Sequence, residues 1–287
     1  MTDPIYFAIE TGGTKLLARL VRGNATVAEA RWPTTTPDEA TAALLAFAEG
    51  APVTAVGIAA FGPIVVDPTA PNYGEVLATP KPGWTGANLR AALARQLGVP
   101  VTVDTDVNAA ALAEAAIGAG QGCGSVAYVT VGTGIGAGLV RDGRTLGGAL
   151  HPEMGHVPVL RLSGDDVPSA CPFHPSCAEG LAAGPAVHKR IGDGRLQDLS
   201  EDFAAVADYL GQLFATIVLA WSPHRIVAGG GVLSVPGLRD RAAERMLAAL
   251  GGYGVGAAAG APCFVAAPAL EHAGLEGALL LARRAAG

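Results

Sequence analysis

IYFAIETGGTKLLARLV (residues 5–21) and SVAYVTVGTGIGAGLV (residues 125–140) decide how the chain is to be read. In each, a run of apolar and β-branched residues enters a turn of glycine and threonine, and a second apolar run leaves it. Residues 5–9 and 16–21 therefore predict two strands around the turn at 10–15. Residues 125–131 and the run from Leu139 predict two more around 132–138. Backbone N–H groups at such turns can face phosphate oxygens. Neither turn is a P-loop, because GxxxxGK[ST] is absent and strand joins strand. Taken singly, each is an ordinary tight hairpin. Occurring twice, each in the β-rich start of one half of the chain, they predict a duplicated α/β fold with phosphate held between the halves.

The remaining elements fit that frame. Residues 25–32 read as a third strand. Thr36-Pro37-Asp38-Glu39 is a capping box with proline at the first helical position, opening a helix that ends near Gly50. Residues 53–59 form a buried strand, followed by the loop Phe61-Gly62-Pro63-Ile64. Residues 73–84 read as a long loop. Thr85 reads as the cap of a helix bearing Leu89, Leu93 and Leu97 and closed by Gly98. A strand at 101–103 runs into Asp104-Thr105-Asp106-Val107-Asn108, with a helix over 109–117. A carboxylate at a strand end, beside a helix start, is a usual catalytic position in α/β proteins. Equally, Asp106 or Asn108 is simply the N-cap. Beyond Glu179 the pattern is mostly helical, with a long helix over 202–221. The strand at 224–227 closes on Ala228-Gly229-Gly230-Gly231-Val232, where glycines either admit a ring or phosphate or merely turn the chain.

HPEMGHVPVLRLSGDDVPSACPFHPSCAE (residues 151–179) holds two of the four cysteines and three of the six histidines. Cys171, His174 and Cys177 are spaced C-x2-H-x2-C, and His156 precedes them by a short loop. Two thiolates and two imidazoles make a closed tetrahedral set for structural zinc, with no open position for metal hydrolysis. A Cys171–Cys177 disulfide, or two ordinary buried cysteines, is the alternative; an intracellular compartment disfavours the disulfide. A metal that fixes this loop also fixes Glu153 and Glu179, and fixed acceptors suit a polyhydroxylated ligand. His156 could hold metal through one ring nitrogen and offer the other to that ligand. An isolated glutamate here would be only a solvated charge.

The 287 residues leave room for one large domain or two lobes, and half of them are hydrophobic. Charged residues make up 15%, and the net charge of -6 argues against nucleic acid and against anionic membranes as partners. The 40 glycines fall in short motifs, which excludes collagen and linker readings. No leader-like apolar region opens the chain, and no apolar run reaches about 18 residues. These features predict a soluble, cytoplasmic protein. Cys123 and Cys263 read as inert.

GGTK (12–15), DVNAAA (106–111), VGTGIG (131–136), HPEMGH (151–156), the Cys/His cluster (171–177) and AGGGV (228–232) occur in an order that resembles the ROK sugar kinases. The resemblance covers essentially the whole chain. Glu10 in ETGGTK, GPI (62–64), TPKPGW (79–84), DTDVNAA (104–110) and the C-P-x-H-x2-C spacing are most similar to the zinc-containing bacterial fructokinase branch. The resemblance implies a two-lobed actin-like/hexokinase-like ATPase fold, with duplicated ribonuclease-H-like lobes at 1–115 and 116–287 around a cleft. It implies ATP-dependent phosphorylation of a hexose, D-fructose before other sugars, by a homodimer using ATP, Mg²⁺ and structural Zn²⁺.

By the same resemblance, Asp106 is the general base. Gly62, Pro63, Lys81, Thr105, Asp106, Glu153, His156 and Glu179 contact the sugar. Gly12, Gly13, Thr14 and Lys15, with Thr133 and Gly134, hold phosphates, and Gly230 and Gly231 hold adenosine. His156, Cys171, His174 and Cys177 bind zinc. Three positions depart from the commoner family pattern: Glu10 replaces Asp, Thr105 replaces Asn and His174 replaces Cys. Thr105 lacks the amide donor of glucokinase relatives, which weakens a glucose reading. Glucose, mannose or N-acetylmannosamine as acceptor, and a non-catalytic sugar sensor, are the competing readings.

Overall fold

Two five-stranded sheets carry the chain, and they share one topology. The computed structural model describes residues 3–194 and 200–287. The first sheet contains β1 (Ile5–Thr11), β2 (Lys15–Arg22), β3 (Ala25–Pro33), β4 (Val53–Ala60) and β5 (Val101–Thr105), in the order β3-β2-β1-β4-β5. The second contains β6 (Ser125–Val131), β7 (Ile135–Arg141), β8 (Arg144–Thr145), β9 (Arg225–Gly229) and β10 (Val265–Ala266), in the order β10-β9-β6-β7-β8. In both, an antiparallel hairpin comes first, a third strand extends its outer edge, and two parallel strands add beyond the first strand. The duplication expected from the two glycine-threonine turns is thus present in the strand order itself.

The helices follow local signals, with two shifts. α1 (Pro37–Phe47) opens on the expected capping box: Thr36 Oγ1 accepts the Glu39 N–H, and the Glu39 carboxylate accepts the Thr36 N–H. α2 (Leu89–Leu97) closes on left-handed Gly98 as expected, but its cap is Asn88, not Thr85. Asn88 Oδ1 accepts the Ala91 N–H at 2.8 Å, while Thr85 Oγ1 accepts the Thr79 N–H within the preceding loop. α3 (Asp106–Ile117) begins three residues before the expected start at 109. The later helices are α4 (Ala178–Ala182), α5 (Gly184–Ile191), α6 (Glu201–Trp221), α7 (Leu238–Leu250), α8 (Gly256–Ala259) and α9 (Ala273–Ala285).

The chain forms two compact units. One comprises Met1–Ala113, Arg144–Pro152 and Leu270–Gly287; the other comprises Glu114–Gly143 and Glu153–Ala269. The expected division at 115/116 lies beside the first break, but residues 144–152 and 270–287 belong with the first unit. The reason for the last segment is packing. α9 buries Leu275, Ala278, Leu279 and Ala282, and it lies on β1, β4 and β5. Each unit has its own apolar core, the first around Phe7, Ile9, Ile58 and Leu93, the second around Val129, Leu210, Phe214 and Ile226. Among the described residues, α6 is long and apolar enough to cross a membrane by length and composition alone, and 67% of its apolar window is buried in the protein.

The α9–β4 approach is close enough to require glycine. A Cβ at Gly57 in β4 would lie 1.9 Å from the Ala278 carbonyl oxygen. Gly57→Ala is therefore expected to lower the melting temperature by about 3 °C or more, the usual effect of forcing an extra carbon into a packed contact. A thermal melt that matches wild type would contradict this packing.

Candidate functional site

The two glycine-threonine turns are each three residues long: Gly12-Gly13-Thr14 joins β1 to β2, and Gly132-Thr133-Gly134 joins β6 to β7. The Gly12 N–H donates to the Lys15 carbonyl at 2.8 Å, and the Gly132 N–H donates to the Gly134 carbonyl at 2.9 Å. Gly13, Thr14 and Thr133 are exposed at the tips. The first turn is fastened from outside by side chains. Thr34 Oγ1 donates to the Gly12 carbonyl, and the Lys81 ammonium donates to that of Gly13 while lying 5.1 Å over the Phe61 ring. Lys81, expected beside the sugar, is thus tied to the first turn. Its partial burial pulls its pKa below the ordinary lysine value.

The second turn is fastened by the segment that carries the cysteines. The Ile135 N–H donates to Glu179 Oε2 at 2.9 Å, and the Gly184 N–H donates to the Gly132 carbonyl at 2.7 Å. Gly155, in the short 3-10 turn Met154–His156, passes so close that a Cβ there would lie 2.0 Å from the Ile135 carbonyl oxygen. Gly230 adopts φ 96°, and a Cβ there would sit 2.4 Å from the Val131 carbonyl oxygen, so both backbone and space demand glycine. The turn, the 154–156 segment, the start of α4 and the glycine loop after β9 therefore converge on residues 131–135. Gly230 and Gly231 are exposed there.

His156, Cys171, His174 and Cys177 come together as the spacing predicted, with one donor atom from each lying within 4.8 Å of the others. Both cysteines are free thiols. Cys171 Sγ lies 3.8 Å from His156 Nδ1 and 3.5 Å from His174 Nδ1, and Cys177 Sγ lies 3.9 Å from His156 Nδ1. Bonds of about 2.3 Å to sulfur and about 2.0 Å to nitrogen, set tetrahedrally, separate ligand atoms by roughly 3.3–3.8 Å. The four side chains can therefore hold a metal ion with little movement. Burial pushes the Cys177 thiol up to about 11, with Cys171 adding to the effect. A bound cation is what would make such a thiol a thiolate at neutral pH.

The other ring nitrogen of His156, expected to face a ligand, lies 3.8 Å from Glu179 Oε1. Glu179 is half-buried between these partners, while Glu153, just before the 3-10 turn, is exposed.

Asp106 stands at the end of β5 as the first residue of α3, half-buried, its Oδ1 accepting the Val107 N–H at 2.8 Å. The cap of α3 is neither Asp106 nor Asn108. It is Thr105, buried, whose Oγ1 accepts the Asn108 N–H at 3.1 Å. The Thr105 hydroxyl, expected to contact the sugar, accepts that N–H through its oxygen and keeps its hydrogen as a donor. Gly62 and Pro63, joined by a cis peptide bond, lie in the loop after β4 in the same unit.

Sequence reading missed the polar network behind Asp106. Asp104 Oδ1 accepts from the Thr105 N–H and from Asn108 Nδ2, both at 2.8 Å, and its Oδ2 accepts the Thr145 hydroxyl at 2.7 Å. Burial pushes the Asp104 carboxyl up, and these hydrogen bonds offset part of that. Asp104, Asn108 and Thr145 line a cavity of about 320 Å³ with Val66, Asp67 and Gly148. The available signal was a polar residue two positions either side of Asp106 in an otherwise buried segment.

Twin sheets of one topology with paired glycine-threonine turns define a duplicated, hexokinase-like α/β fold. A sequence profile of the ROK family matches residues 6–285, and the chain belongs to the ROK family. It is 39% identical over 250 residues to the fructokinase of Pediococcus pentosaceus, covering 86% of each chain. Its structure is similar to that of a ROK hexokinase from Thermus thermophilus, with a TM-score of 0.79 and 30% identity over 98% of both chains. It is also similar to a ROK family glucokinase from Streptomyces griseus solved with glucose and AMPPNP, with a TM-score of 0.75 and 27% identity over 98% of this chain and 99% of that one.

The segment leading to Cys171 is held by an ionic brace. Arg190 gives Asp165 two hydrogen bonds, at 3.0 and 2.7 Å, and the Tyr209 hydroxyl gives a third. Arg161 donates to the carbonyls of Asp165, Val167 and Pro175. Chiefly because of Arg190, the Asp165 carboxyl falls from 3.8 to about 2. A depressed carboxylate pKa stabilises the fold above the unfolded value and loses that effect as pH falls through the folded one. Stability of about 2 kcal/mol is therefore expected to disappear between pH ~4 and ~2. Asp165→Asn should flatten that acid limb in denaturant titrations run at several pH values. An unchanged limb would contradict the brace.

Proposed function

We propose that the chain is an ATP-dependent hexose kinase whose preferred acceptor is D-fructose, phosphorylated at its 6-hydroxyl. The observation that carries the reading is the position of Asp106. It heads α3 at the end of a buried strand; Thr105 supplies the helix cap and Asp106 Oδ1 takes the Val107 N–H, a pairing that does not require a carboxylate. In this reading Asp106 accepts the proton of the attacking hydroxyl. Glu153 and Glu179 accept hydrogen bonds from sugar hydroxyls, His156 donates one from Nε2–H with Nδ1 turned to the metal cluster, and the Gly62–Pro63 loop faces the sugar. The first turn, Gly12 to Thr14, receives phosphate through the Gly13 and Thr14 amides, since the Gly12 N–H bonds the Lys15 carbonyl; Lys15, Thr133 and Gly134 complete the phosphate contacts, and Gly230 and Gly231 admit the adenosine. Lys81 acts on the phosphate side, through its bond to the Gly13 carbonyl.

Phosphoryl transfer asks mainly for positioning and charge stabilisation, which these groups supply. A magnesium ion bound with the nucleotide would add charge neutralisation at the β- and γ-phosphates. Zinc at His156, Cys171, His174 and Cys177 would be structural, since four protein ligands complete its shell. A cytoplasmic homodimer is part of the same reading, carried by the family resemblance.

Glucose is the second reading, favoured by the likeness to the Streptomyces griseus glucokinase. Against it stands Thr105, which offers no amide and whose hydroxyl already accepts the Asn108 N–H. A coupled assay with Mg-ATP and a panel of hexoses tests the choice. Fructose is expected to give the highest kcat/KM, mannose a lower one and glucose the lowest, because rejection is strong only where a polar group is left unpaired. A glucose value at or above that for fructose would overturn the fructose assignment, and no turnover with any hexose would overturn the kinase.

Metal analysis is expected to give about one zinc per chain. Cys177→Ala should lose the metal and weaken hexose binding, because Glu179 lies two residues away. A metal-free protein of full activity and stability would contradict this.

A further inference from the structure

HPEMGH begins with a histidine that neither the metal cluster nor the proposed chemistry uses. His151 is buried, 9% exposed. Its Nε2 accepts the Ile64 N–H at 3.2 Å, and its Nδ1 lies 3.4 Å from the Pro152 carbonyl oxygen. An imidazole nitrogen that accepts an N–H carries no proton of its own, so the ring bonded in this way is neutral with its proton on Nδ1, facing that carbonyl. The ring also covers Gly62. A Cβ at Gly62 would lie 3.2 Å from Cε1 and 3.3 Å from Nε2. One side chain thus holds residues 62 and 64, on either side of Pro63.

The rest of the loop is fixed at its ends. The Phe61 N–H donates to the Thr11 carbonyl at 2.9 Å, and the Phe61 ring meets Trp84 edge-on with centroids 4.9 Å apart. The Leu77 N–H donates to the Pro63 carbonyl at 2.8 Å, and Ile64 bridges to Val76. His151 is the side chain that reaches the middle of the loop, from 87 residues further along the chain.

We infer that His151 is a positioning residue for sugar recognition: its unprotonated Nε2 fixes the Ile64 N–H and thereby sets the Gly62–Pro63 loop in the conformation that receives the hexose. This rests on the proposal that the loop faces the sugar. In the proposed site His151 acts on the sugar loop, through Ile64 and Gly62, and has no assigned role at the phosphates or the adenosine. Its loss should therefore appear in hexose affinity and leave ATP affinity unchanged. Glutamine can restore the acceptor through Oε1, whereas alanine cannot.

The test combines spectroscopy and binding. In wild-type protein, the ¹⁵N shifts of the His151 ring should report a protonated Nδ1 and an unprotonated Nε2; a proton on Nε2 overturns the inference. Hexose binding is then measured by calorimetry without turnover, alongside KM for ATP. His151→Ala should weaken hexose binding about tenfold, as expected for one lost hydrogen bond to a positioned amide. His151→Gln should return it to within about threefold of wild type, and KM for ATP should stay the same in both. Unchanged hexose affinity in His151→Ala, or an equal loss of ATP and hexose affinity, overturns the inference. If His151→Ala fails to fold, the wild-type ring shifts and the glutamine variant decide. A wild-type protein that binds hexose but transfers no phosphate would sink the kinase reading, and the binding comparison would still judge His151.

Discussion

The Glu179 carboxylate accepts the Ile135 N–H at 2.9 Å and stands 3.8 Å from Nε2 of the His156 ring. The first partner belongs to the strand that leaves the second glycine-threonine turn. The second belongs to the metal-type cluster, because His156 Nδ1 points at Cys171 and Cys177. A carboxylate that orients a metal-binding imidazole through its far nitrogen is a recurrent way of fixing both. One side chain thus bonds the strand leaving the second glycine-threonine turn and lies beside the ring of the Cys/His cluster, within a single unit. Groups fixed before a ligand arrives have less freedom to lose on binding.

The two units solve the same problem by different means. Their sheets follow one strand order and their leading hairpins have turns of one length. The first turn is pinned by the side chains of Thr34 and Lys81, whose stems come from loops of the first unit. The second is pinned by Glu179 and by backbone pressed against backbone at Gly155 and Gly230. The sheet order and the turn length are common to both units, and the loops around them differ. Asp106 lies in the first unit and the cysteine segment in the second.

Features carried by short-range pattern were legible in the sequence. The paired turns, the Thr36–Glu39 capping box, left-handed Gly98 and the Cys/His cluster each depend on residues a few positions apart. What escaped depends on choices among equivalent neighbours or on distant partners. Thr85 and Asn88 can both cap a helix, and the spacing of leucines does not distinguish them. Thr105, Asp106 and Asn108 posed the same ambiguity, resolved only by which oxygen reaches the third amide. The return of α9 to the first unit, the Asp104–Thr145 bond across 41 residues and the His151–Ile64 bond across 87 leave no local trace.

The role proposed for Asp106 is chemical, with the helix cap left to Thr105. Asp106→Asn keeps the shape and, with Thr105 intact, keeps the cap. Steady-state turnover with fructose and Mg-ATP, measured beside calorimetric hexose affinity, separates the two roles. Turnover is expected to fall by at least ~10²-fold, the scale of a lost general base, with hexose affinity little changed. A variant that retains most of its turnover would contradict that role.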